Sequence, residues 1–153
     1  MKNKSVLLGI LIIVVVSLAT GCGFFYNLLD TQEFKEHFGA LGYTTSDNEE
    51  ALYESKTYVV ASKSDMPFKI EYYEFENEVE AKKVYKKYKD RIVDYITTDS
   101  KNRETTGAVF SKTVAQSEQE YLVMSRVKNT FIFIEGTVEF KDEIDTLLED
   151  IKY

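Results

Sequence analysis

Apolar positions recur along this chain with several different periods, and each period predicts a different element. An unbroken apolar run from Val6 to Val16 follows Lys2 and Lys4 and gives way to Ser17-Leu18-Ala19-Thr20-Gly21-Cys22. Farther on, Phe34, Phe38 and Leu41 recur at helical spacing behind Asp30, a good N-cap with Glu33 three residues later, and Gly42 supplies a stop. Strands are predicted over Thr57 to Lys63 and Phe68 to Phe75, joined through Ser64-Asp65-Met66-Pro67. In the second of these, Phe68, Ile70 and Tyr72 alternate with Lys69, Glu71 and Tyr73, the period of a half-buried antiparallel strand with one wet face. That alternation places Tyr73 opposite Tyr72, as an exposed contact candidate.

A long helix is predicted next, with Asn77 as N-cap, Glu80 completing a capping box, and Ala81, Val84, Tyr85, Tyr88, Ile92, Tyr95 and Ile96 on one stripe. From Thr97 to Gly107 the sequence turns polar and aperiodic, which reads as a surface loop. Three strands follow, about Ala108 to Ala115, Tyr121 to Val127 and Thr130 to Glu135, the last two turned by Lys128-Asn129. Phe131 to Ile134 are apolar without alternation, so that strand is expected to be central and covered on both faces. A final helix turns Phe140, Ile144, Leu147, Leu148 and Ile151 inward. The expected fold is α+β: an antiparallel sheet of about five strands, helices mainly on one face, in the order helix, two strands, helix, three strands, helix. An internal echo accompanies this order, because Tyr58 to Lys63 reads like Tyr121 to Arg126 and Phe68 stands where Phe131 does. A duplication and a chance likeness of two hairpins both account for it.

The first segment belongs to a different category. A short basic stretch, an apolar run and small residues form an export signal, removed rather than folded. Leu18, Ala19, Thr20, Gly21 and Cys22 together resemble the lipobox of bacterial lipoproteins. That resemblance implies cleavage before Cys22, a diacylglyceryl group on its thiol, and an extracytoplasmic domain anchored to the cell membrane by lipid. The chain then divides into a signal peptide (1–21), the lipidated Cys22 with a short apolar tether (22–29) and one domain (30–153). Tether residues Gly23 to Leu29 either pack onto the domain or lie in the membrane interface, where aromatic rings are favoured. An uncleaved anchor over 6–29 is the alternative, long enough for ~30 Å of hydrocarbon. Either arrangement faces the domain outward, because Lys2 and Lys4 stay on the cytoplasmic side.

Charge narrows the partners. Without Lys2 and Lys4 the chain keeps 17 basic against 26 acidic residues, a formal charge of −9. Such a surface is repelled by nucleic acid and anionic lipid, so no nucleic-acid partner is expected and the anchor must supply the membrane attachment. The single cysteine rules out an internal disulfide framework.

Candidate chemistry is sparse. His37 is the only histidine; with Glu33 it offers two metal ligands at helical spacing, more simply read as a surface pair, and no third ligand is in sight. The serines at 62, 64, 111 and 125 lack a nucleophile-elbow motif, and no phosphate-cradling glycine loop occurs. Carboxylate pairs such as Glu49-Glu50 and Glu149-Asp150 are ordinary in an acidic chain. No catalytic residue, cofactor or metal is therefore assigned. Lys82, Lys83, Lys86, Lys87, Lys89 and Arg91 form a basic stripe on the long helix, with Lys83 and Lys87 as contact candidates beside Tyr73. The expected function is a non-catalytic domain that binds or stabilises an envelope protein, peptide or wall polymer. The alternative is a small-ligand receptor or sensor using a groove between helix and sheet.

Overall fold

The computed structural model describes residues 26–48, 53–95 and 101–153; the expected signal peptide (1–21), Cys22, Glu49-Glu50 and Ile96 lie outside these. The elements are α1 (Thr31–Ala40), β1 (Thr44–Asp47), β2 (Thr57–Ser62), β3 (Lys69–Glu74), α2 (Glu78–Tyr95), β4 (Lys101–Thr106), β5 (Phe110–Gln116), β6 (Glu120–Val127), β7 (Thr130–Thr137), a 3-10 turn (Val138–Phe140) and α3 (Lys141–Asp150). All seven strands form one antiparallel sheet in the order β1-β2-β3-β7-β6-β5-β4.

The α+β class and the antiparallel sheet stand, but the expectation of about five strands in the stated order is overturned. The two additional strands are the sheet's edges. β1 reads Thr-Thr-Ser-Asp and β4 reads Lys-Asn-Arg-Glu-Thr-Thr, so neither carries an apolar face to signal burial. Polar and charged residues are what an edge needs to avoid pairing with another chain. β4 also replaces most of the surface loop expected from Thr97 to Gly107.

Helices cover both faces rather than one. On the first face, α1 and α3 bury Phe34, Phe38, Ile144, Leu147 and Leu148 against Ile70, Tyr72, Val123, Ile132 and Ile134. On the second, α2 lays Ala81, Val84, Tyr85, Tyr88 and Ile92 over Tyr58, Tyr73, Leu122, Met124, Phe131 and Phe133. The apolar stripe of α2 needed a sheet face of its own, so β3 is buried on both faces from Ile70 to Tyr73 and only Lys69 at its start is exposed. Tyr73 is 0% exposed and Glu71 only 7%.

Local chemistry explains the helix limits. The Asp30 side chain accepts from the Glu33 amide at 2.8 Å while Glu33 accepts from the Asp30 amide at 3.0 Å, the reciprocal capping box expected. Gly42 ends α1 at φ +83°, a conformation that costs glycine little. Leu41, expected inward, is the C-cap of α1 and lies exposed. The Asn77 side chain accepts from the Glu80 amide at 3.1 Å and caps α2.

The internal echo does not correspond to a superposable repeat. β2-β3-α2 and β6-β7-α3 flank the sheet's centre with β3 and β7 antiparallel, so a two-fold axis normal to the sheet would put both helices on one face. They lie on opposite faces. The two units are thus related in outline by inversion, and no rotation brings one onto the other.

The tether packs onto the domain where it is described. Tyr26 stacks on Phe110 with ring centroids 3.7 Å apart, Leu29 is buried, and the Tyr72 hydroxyl donates to the Leu29 carbonyl at 2.8 Å. Gly107 makes room for this stack, because a Cβ there would stand 2.2 Å from the Phe110 ring. Tyr26 to Leu29 are not helical, so a membrane span reaching Leu29 would have to peel them from the domain.

Two tests follow from this packing. Phe131→Ala removes a ring buried among Tyr73, Tyr85 and Tyr88, and urea denaturation should register a loss of about 3–5 kcal/mol. Gly107→Ala should push the Phe110 ring off Tyr26 and speed chymotryptic cleavage after Tyr26. Gly39→Ala, with nothing within 4 Å of the added carbon, should leave the cleavage rate unchanged.

Candidate functional site

The second face of the sheet is covered unevenly. α2 crosses it from the Phe75 end toward Ile92, and beside its last turns the strands carry charge in place of apolar side chains: Lys69 and Glu71 on β3, Glu135 on β7. Between helix and strands lies an open trench with a cavity of about 340 Å³, lined by Lys69, Glu71, Tyr88, Arg91, Ile92, Leu122, Phe133 and Glu135. A second cavity of about 510 Å³ shares Lys69, Glu71 and Glu135 and extends the trench past Met66, Phe68 and Glu120. Ile92, Leu122 and Phe133 supply apolar surface, and charged groups of both signs stand around it.

Glu71 is the buried carboxylate of this trench, and two groups hold it. The Tyr73 hydroxyl donates to it at 2.9 Å, and the Lys69 ammonium pairs with it at 3.0 Å. Tyr73 and Tyr88 share a hydrogen bond of 2.9 Å. Because the Tyr73 proton is directed to Glu71, Tyr88 is the donor in that second bond, and a relay runs from Tyr88 through Tyr73 to the carboxylate. Tyr58 stacks on Tyr73 at 4.4 Å and completes the wall. Burial first, and then the neighbouring Glu71 charge, push the Tyr73 hydroxyl well above its ordinary range, so it stays a donor at any physiological pH. The bond to Glu71 holds Lys69 above its ordinary value and therefore charged.

Glu71 and Glu135 rise from neighbouring strands of one floor, with Lys69 directly across from Glu135 in the β3–β7 register. They do not face each other across a cleft as an acid and a nucleophile would. Among the described residues no group of three or more His, Cys, Asp or Glu side chains is placed to hold a metal ion, and Glu33 is occupied by its capping box.

The residues singled out from sequence are dispersed. Tyr73 is no surface contact; it is the inner support of Glu71. Lys83 and Lys87 remain exposed and line a separate shallow hollow with Tyr53, Lys56 and Glu80, where the Lys87 ammonium lies 5.3 Å from the Tyr53 ring centre. The basic stripe is partly neutralised, since Lys82 pairs with Glu78 at 2.9 Å and Lys89 reaches Glu104 on β4. Only Arg91 of the stripe enters the trench. Sequence reasoning missed Glu71 because its alternation with Ile70 and Tyr72 marked it as solvated. The available signal was the tyrosine-rich stripe of α2, whose hydroxyls need buried partners.

Arg126, 1% exposed, is the other deeply buried charge. It donates to Glu78 at 3.2 Å and to the carbonyls of Lys128 and Val109 at 3.0 and 3.3 Å, fastening the start of α2 to the strand turns. Comparison with protein-family models, curated proteins and solved structures returns no match.

Tyr73→Phe deletes the donor to Glu71 and the acceptor for Tyr88, and chemical denaturation should show a loss of about 1.5–3 kcal/mol, the range for hydrogen bonds to charged groups. Alkaline pH offers a second measurement. Burial raises Tyr43 and Tyr85 from 10.0 to about 12, so the folded state keeps protons that the unfolded chain releases. Their contribution is complete below pH 10 and is lost as pH climbs toward 12. Circular dichroism and tyrosinate absorbance should therefore change together in that window.

Proposed function

We propose that this chain is a lipid-anchored extracytoplasmic binding protein, non-catalytic, that holds another component of the cell envelope in the trench between α2 and the sheet. The observation that carries this reading is the trench itself: a buried Glu71 fixed by Tyr73 and Lys69, apolar surface from Ile92, Leu122 and Phe133, and Arg91 and Glu135 beside them. Polar groups that converge over an apolar surface orient a bound partner. The open form favours an extended occupant, a peptide or polymer strand, over a small molecule. A small-molecule site encloses ~70–90% of its ligand, and an open trench leaves one side wet. Charges of both signs favour a partner that also carries both.

Membrane attachment rests on the lipobox-like Leu18 to Cys22 and on Lys2 and Lys4 before the apolar run. Two acyl chains on Cys22 anchor stably where one would exchange, each buried methylene contributing ~0.8 kcal/mol.

Both halves are testable. Cys22→Ser should abolish labelling by radioactive palmitate and leave the export segment uncleaved, read by gel and mass spectrometry. A wild-type chain that keeps Met1 to Gly21 and carries no lipid refutes the anchor. For the trench, a photo-crosslinking residue at Arg91 should capture a partner in intact membranes, and the same probe at Leu41 should not. Glu71→Gln should reduce the Arg91 adduct severalfold. Equal capture at both positions, or an adduct indifferent to Glu71→Gln, removes the trench from the function.

A further inference from the structure

We propose that the end of the domain from which Tyr26 emerges lies against the bilayer surface, so that the trench opens away from the membrane. The proposal rests on the anchoring of Cys22 above, and its geometry comes from the direction of the strands. β3 runs from Lys69 to Glu74 and β7 from Thr130 to Thr137 antiparallel to it, so Lys69 and Glu135 mark one end of the sheet and Glu74 and Thr130 the other. The trench is at the first end. At the second end lie the β6–β7 turn at Lys128-Asn129, the β4–β5 turn before Phe110, the start of α2 and the tether.

That second end is also where exposed apolar side chains collect. Among the described residues four large hydrophobic side chains are exposed, Leu28, Leu41, Val79 and Val109, with Val79 the most open at 61%. Arg126 ties the last two together, since its guanidinium touches both the Val109 carbonyl and Glu78, the neighbour of Val79. Val109 also accepts from the Lys128 amide at 2.7 Å. Leu28 lies two residues from Tyr26, whose ring is stacked on Phe110 next to Val109. Leu41 alone sits at the opposite end, after α1 and before β1.

The anchor limits how far this end can stand from lipid. Four peptide units separate Cys22 from Tyr26, at most roughly 14 Å of fully extended chain. A half-buried Tyr26 and Phe110 beside Leu28, Val79 and Val109 make an amphipathic rim of the kind that settles among headgroups. Of the charges at this end, Glu78 is paired with Lys82 and Arg126, while Asp30, Glu33, Glu76 and Glu80 are exposed with Lys128, so the rim suits zwitterionic rather than anionic headgroups. The trench then sits a strand's length farther out, roughly 20 Å at ~3.3 Å per residue.

The chain contains no tryptophan, so a single introduced one reports its own depth. The full chain, processed and lipidated in a bacterial host, carries Val79→Trp, Val109→Trp or, as the control, Leu41→Trp, and is reconstituted into phosphatidylcholine vesicles with brominated acyl chains. All three positions are exposed, and circular dichroism checks each fold. Emission at positions 79 and 109 should fall by roughly half relative to unbrominated vesicles, the depth of an interfacial helix, and position 41 should be unaffected. Vesicle-bound protein with no quenching at 79 and 109, or with equal quenching at 41, overturns the orientation and leaves the anchor standing. Protein that carries no lipid and fails to float with the vesicles overturns the anchor, and the orientation with it.

Discussion

The pairing of β3 with β7 is the constraint on which the rest of the molecule depends. It joins residues about sixty positions apart, Tyr72 opposite Ile132 and Tyr73 opposite Phe131, and it is the ladder that links the first three strands to the last four. Closing so long a loop is entropically costly, and the return lies in residues that are apolar on both sides. Ile70, Tyr72, Ile132 and Ile134 found the core under α1 and α3; Tyr73, Phe131 and Phe133 found the core under α2. Break the seam and each helix loses half of its floor.

The trench is a by-product of the same seam. Lys69 and Glu135 end the register where the apolar sequence of both strands stops, and α2 does not cover them fully. Glu71 lies one step inward, already under the edge of α2, and a carboxylate at that depth needs partners. Tyr73, itself bonded to Tyr88, provides one from inside and Lys69 another from outside. Part of the tyrosine excess thus has a structural account: Tyr72, Tyr73, Tyr85 and Tyr121 fill volume in a core while their hydroxyls reach Leu29, Glu71, Thr113 and Asp145 at the margin.

Long periodic elements could be read from sequence, and the helices and inner strands fall close to where the patterns put them. Capping chemistry was readable too, since Asp30 with Glu33 and Asn77 with Glu80 are local signals. The edges were not: Thr44 to Asp47 and Lys101 to Thr106 are strands because a neighbour offers them hydrogen bonds, a property of the neighbour rather than of their own side chains. The trench was hidden for a related reason. Alternation along β3 reports which residues share a face, but not whether the helix that follows will cover the other face, and Tyr73 and Glu71 were assigned to water on that account. The echo between Tyr58 and Tyr121 likewise reported local hairpin chemistry, blind to which face each following helix would take.

Opposite placement of tether and trench sets how the molecule carries force. A pull between Tyr26 and an occupant held at Glu71 runs lengthwise along β3 and β7, at right angles to their hydrogen bonds. Loaded this way, the rungs of the seam are sheared together instead of opened one after another, as they would be if the same pull entered from a sheet edge. The weaker link is then the Tyr26–Phe110 stack and the buried Leu29, which yield before the sheet does. Sustained tension would first lengthen the tether, with the trench end still folded.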